Sequence, residues 1–205
     1  RPLLVPYVIW HPAFEQGAII AEALRAHFRR DLFGNVIGGA GLSLLFRSDA
    51  PDGATVPIGI DTSDAETTAV ILLADSHMVG DDTWKSYVAD LSAQADRVGL
   101  GFRIIPVAME REALPIAKEN AVRLDTWSET GDALHAKLVS KLTLELCRML
   151  RHYLAHLERP ADPVTELDQY LEPVRVFISH SKHAGNGDAI ARALRDDTVL
   201  VSIMH

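Results

Sequence analysis

Apolar positions along the chain fall into short runs of strand length that alternate with stretches of helical spacing. Leu3 to Trp10 carries Val5, Val8 and Ile9 and reads as a strand, with Pro6 confining its regular part to Tyr7 onward. After a loop at His11 to Phe14 the spacing turns helical from Gly17. Ile20, Ala23, Leu24, His27 and Phe28 share one face there, with Glu22, Arg25, Arg29 and Arg30 mostly opposite. Gly34, Gly38, Gly39 and Gly41 punctuate a turn-rich stretch; they do not follow a strand and open a helix, so they read as turns rather than a phosphate cradle. Leu42 to Phe46 is a second strand, ending in the polar loop Arg47 to Gly53.

Thr67 to Ala74 is nearly continuously apolar between Glu66 and Asp75, the pattern of a strand buried on both faces of a parallel sheet. Asp81 or Asp82 caps a helix from about Thr83 to Val98, because a carboxylate accepts the otherwise orphaned first-turn N–H groups. Phe102 to Ala108 and Val122 to Asp125 supply further strands. Strands and helices alternating through short loops predict an α/β fold, an open parallel sheet with helices on both faces.

Gly131 to Leu157 is the longest helical pattern, with Leu134, Leu138, Leu142, Cys147, Leu150, Leu154 and Leu157 apolar and Leu144, Leu146 and Met149 broadening the stripe. A helix apolar over so much of its circumference needs more than one partner surface, from two domains or two subunits. Pro160, Pro163 and Pro173 then bound a polar linker, beyond which Val174 to Ser179 reads as a strand and Gly187 to Arg195 as a helix. The expected organisation is an α/β domain over 1–130, a connecting helix over 131–157, a linker over 158–173 and a second, incomplete α/β domain over 174–205.

The second unit repeats the first. Tyr7-Val8-Ile9-Trp10-His11 matches Val176-Phe177-Ile178-Ser179-His180 at an offset of 169, and Ile20 to Arg25 matches Ile190 to Arg195 at 170. In the first copy about 43 positions separate Arg25 from the buried strand that opens Thr68-Ala69-Val70; in the second, only two residues lie between Arg195 and the similar Thr198-Val199-Leu200. A helix that enters a core strand of the same sheet through only two residues is not expected to cross over. The spacing therefore implies a break near 195–198 with roughly 40 residues absent, and further chain after His205.

Composition narrows the classes of partner. Apolar residues make up 48% of the 205 and charged residues 23%, as in soluble globular proteins, and no apolar run approaches bilayer-spanning length. A net charge of −8 gives no electrostatic footprint for nucleic acid. The single cysteine, Cys147, cannot close an intramolecular disulfide, and the chain opens Arg1-Pro2 without signal-peptide features; together these suit a cytoplasmic protein. No His, Cys or Asp set has metal-ligand spacing, and nothing resembles a serine or cysteine triad.

Val176-Phe177-Ile178-Ser179-His180-Ser181-Lys182, a glycine-containing loop and the run Asp188 to Leu194 together resemble the opening of bacterial TIR (Toll/interleukin-1 receptor) domains. The likeness spans about 30 residues, and Thr198 to Ile203 resembles a later core strand of the same fold. The N-terminal copy looks like a diverged TIR-like domain, with Arg47 to Gly53 where the family has its BB loop and Trp84 in the helix after the buried strand. The resemblance implies cleavage of NAD+ as substrate, no resident cofactor, and activation by self-association through the TIR-like domains and the 131–157 helix, as in an anti-phage effector. It places ligand contacts at Ser179, His180, Ser181 and Lys182 and the catalytic glutamate beyond His205. In the N-terminal copy the glutamate's position, four after Trp84, is Val88; Asp90, two residues on, points to nearly the opposite helix face. That copy is therefore expected to be non-catalytic, which leaves a non-enzymatic adaptor or nucleotide-sensing scaffold as the alternative.

Other residue types admit a plainer role beside the sharper one. His180 and His11 close equivalent strands and serve as loop anchors or ligand contacts, Trp84 as packing or as a stacking surface, and Asp61, Asp64 and Glu66 as solvated loop charges or a carboxylate cluster.

Overall fold

The computed structural model of the chain describes residues 1–29, 42–117, 121–158, 176–178 and 200–202. Five parallel strands, β1 (Leu4–Trp10), β2 (Leu45–Arg47), β3 (Thr67–Ala74), β4 (Phe102–Ala108) and β5 (Val122–Arg123), form one sheet in the order β2-β1-β3-β4-β5. This is the doubly wound order in which the winding direction reverses between β1 and β3. The helices are α1 (Glu15–Phe28), α2 (Ser76–Gly80), α3 (Asp82–Val98), α4 (Leu114–Ala117) and α5 (Gly131–Glu158).

Period-two alternation splits the central strands between two cores. Ala69, Ile71 and Leu73 of β3, with Val8 and Val107, pack against Ile20 and Leu24 of α1 and Leu138, Leu142 and Leu146 of α5. Val70, Leu72 and Ala74, with Tyr7 and Ile9, pack against Trp84, Val88 and Leu91 of α3 on the other face. Every residue of β3 is buried, which is why that strand reads as an unbroken apolar run.

Several elements differ in extent from the pattern. The first strand begins at Leu4, before Pro6, because β2 pairs only with Tyr7, Val8 and Ile9. At Pro6 the strand has a neighbour on one side only, where a missing N–H is tolerated. Pro106 in β4 repeats the solution, since β5 pairs only with Val107 and Ala108. The second strand is displaced to Leu45–Arg47, the fifth is cut to two residues by a 3-10 turn at Leu124–Thr126, and His27 is exposed rather than on the buried face of α1. Helix α3 starts at Asp82 with Asp81 as its cap, and Gly99, at φ 69°, closes it.

Over Leu138 to Met149 the long helix packs in the core of the first compact unit, Arg1–Leu154, through Leu138, Val139, Leu142, Leu146 and Met149, so the boundary expected at 130/131 lies at 154/155. In the second unit, β6 (Val176–Ile178) pairs in parallel with β7 (Leu200–Ser202). The register is Val176↔Leu200, Phe177↔Val201 and Ile178↔Ser202, and in the first unit it is Tyr7↔Val70, Val8↔Ile71 and Ile9↔Leu72. Under the repeat alignment these are the same residue pairs. The glycine-rich turn at 34–41, the linker, the helix at 187–195 and the junction at 195–198 lie outside the described residues.

Candidate functional site

In open parallel sheets ligands sit beyond the carboxyl ends of the strands where the winding reverses, which here means the ends of β1 and β3. β1 runs into His11, whose ring is fixed by its own loop. The Ala13 N–H donates to His11 Nδ1 at 3.1 Å, which leaves the proton of the neutral ring on Nε2, 3.6 Å from Asp81 Oδ2. The Trp84 ring lies 5.2 Å away and the His77 ring 5.8 Å away, nearly parallel to that of His11. Asp81 also accepts from the Thr83 and Trp84 N–H groups at 2.8 and 3.3 Å. The bonds from Thr83 are the main reason its carboxyl sits below the usual range, with His11 adding slightly.

β3 runs into a second His–Asp pair. Asp75 is 1% exposed and caps α2, accepting from the His77 and Met78 N–H groups at 3.2 Å each. Its Oδ2 lies 2.5 Å from Nδ1 of His77, whose side chain is 52% exposed. Glu110, just past β4, accepts from the Ser76 N–H and ties the β4 loop to α2. Between these loops and the start of α1 lies a cleft of about 420 Å³ lined by Phe14, Glu15, Gln16, His77, Met109 and Glu110. A second cleft, of about 710 Å³, shares Met109 and Glu110 and adds Arg111, Arg123 and Asp125; the last two form a two-pronged pair at 2.7 and 2.6 Å.

Toward β2, the Arg47 guanidinium covers the Tyr7 ring at 5.0 Å. Burial pushes the Tyr87 phenol up to about 12 and also raises Tyr7, while Arg47 pulls both the other way.

Of the residues expected to matter, His11 lies at this edge. Trp84 is 1% exposed and packs in the α3 core, Val88 is buried beside it, and Asp90 is exposed, so no carboxylate stands where the family's glutamate would be. Asp61 caps a 3-10 turn through the Ser63 N–H at 2.7 Å, and Asp61, Asp64 and Glu66 are exposed loop residues. Ser179, His180, Ser181 and Lys182 lie outside the described residues. Asp75, His77 and Glu110 escaped the sequence reading; the available signal was Asp-x-His directly after the most apolar strand. Among the described residues, no group of three or more His, Cys, Asp and Glu is placed to hold a metal, and no helix is long and apolar enough to cross a membrane. Compared with known proteins, the chain matches no family model, no curated protein and no solved structure.

Proposed function

We propose that this chain belongs to a TIR-type NAD+ hydrolase of bacterial defence. In this reading the N-terminal unit is a non-catalytic TIR-like module and the C-terminal unit carries the reaction once copies associate. The observation that supports it is the shared register: the strand bearing the TIR-like motif pairs with its neighbour as β1 pairs with β3. In the proposed reaction the bond between nicotinamide and ribose breaks, its electron pair leaving with nicotinamide. A glutamate carboxylate expected beyond His205 stabilises the oxocarbenium-like ribose until water adds. Ser179, His180, Ser181 and Lys182 are the proposed ligand contacts of that unit. Incubating the full-length protein with NAD+ should release nicotinamide and an ADP-ribose product; no turnover by the assembled protein overturns the reading.

The buried Val88 favours a second reading, a non-enzymatic adaptor in which TIR-like surfaces bind one another or a ligand. A glutamate shortly after His205 in the gene favours the enzyme, and its absence favours the adaptor.

A further inference from the structure

We propose that the cleft between the ends of β1, β3 and β4 is a ligand site of the N-terminal unit. In it His77 accepts a hydrogen bond from an N–H donor of a small organic cation, and Asp75 is the positioning residue that makes His77 an acceptor. A neutral imidazole carries one donor and one acceptor nitrogen, and the partner of one fixes the role of the other. With Oδ2 of Asp75 2.5 Å away, the neutral ring keeps its proton on Nδ1 and donates it in a hydrogen bond to that carboxylate, so Nε2 is the acceptor on a half-exposed ring that lines the cleft. The carboxylate cannot turn away, because it also holds two N–H groups of α2 and is 1% exposed.

The charge of the wall selects the ligand class. Among the described residues, Glu15 and Glu110 are its carboxylates, no Lys or Arg lines it, and Phe14 and Met109 give apolar contact. Phosphate groups are repelled, whereas a cation gains from both carboxylates and from an aromatic face. At about 420 Å³ the cleft has the size of a small-molecule site. Among the described residues, the charged and titratable groups around His77 are Asp75, Glu15, Glu110 and, through the stacked ring, His11 with Asp81. Asp75 as a helix cap explains the bonds to the α2 backbone, but not a ring held in the cleft wall.

The proposal does not rest on NAD+ cleavage, and its test contains no NAD+. The full chain, labelled with 15N in its histidine rings, is titrated with 1,4-diaminobutane and separately with pyrophosphate. The diamine should move the His77 Nε2 resonance saturably and pyrophosphate should not. His77→Phe, which keeps a ring but no acceptor, and Glu110→Gln, which can still accept from Ser76, should each weaken binding measured by calorimetry about tenfold, the scale of one charge-assisted hydrogen bond; Glu110→Gln should leave the melting temperature unchanged, while His77→Phe, which takes a partner from the buried Asp75, should lower it but keep a cooperative transition. No saturable shift, equal shifts with pyrophosphate, or full affinity in the His77→Phe variant overturns the site.

Discussion

Gly17 sets how closely α1 approaches β1. A Cβ there would lie 2.5 Å from Trp10 Cγ and 2.9 Å from Phe14 Cδ1, inside the contact distance of two rings, one of them in the core. Gly17→Ala should cost about 1–3 kcal/mol through overpacking, read as a lower urea midpoint with an unchanged slope. Tyr87 makes a residue-scale prediction at alkaline pH. Its phenol is 7% exposed, its hydroxyl reaches only a long 3.5 Å contact to the Ile58 carbonyl, and burial raises its ionisation to about 12 from an ordinary 10.0. The folded state thus holds the proton more tightly than the unfolded chain. Stability is complete below pH 10 and falls by about 2–3 kcal/mol as pH rises through 12. Urea midpoints measured from pH 9 to 12 should fall more gently in Tyr87→Phe than in the parent.

Helix α2 shows what a five-residue element needs in order to exist. Too short to hold itself by backbone bonds, it depends on Asp75 at its start and on Glu110 from the β4 loop. Asp75→Ala should remove about 1–2 kcal/mol, seen by urea denaturation, and should free the His77 ring, seen as averaging of its NMR signals. The same brevity hid the candidate site from the sequence. Ser76–Gly80 contains too few positions to display a 3.6-residue period, and Glu110 reaches Ser76 across 34 positions, a contact fixed only by the β3–β4 pairing. Elements with clear signals were legible: Thr67–Ala74 by its continuous apolar run, and α3 by the aspartates Asp81 and Asp82 that precede it, of which the structure makes Asp81 the cap. Pro6 misled about the start of its strand, because the rule against proline in strands concerns lost bonds, and which side of a strand is empty is settled by the neighbour's length.

At the scale of the molecule, α5 is a core element before it is anything else. Its buried residues Leu138 to Met149 close one face of the sheet, which the wide apolar stripe alone did not distinguish from a surface shared between domains or subunits. Residues 1–158 should therefore fold alone with a cooperative thermal transition, whereas a chain ending at 130 should lose it, with near-ultraviolet circular dichroism as the readout. The common register of the two strand pairs carries a different consequence, for how the chain reaches its native state. A first strand from either unit has the hydrogen-bond geometry to recruit the other unit's third strand. Synthesis from the N-terminus protects against this exchange, since β1 and β3 are joined before β6 leaves the ribosome. Refolding from denaturant offers both choices at once, so swapped strands are the misfold that dilution from urea should produce.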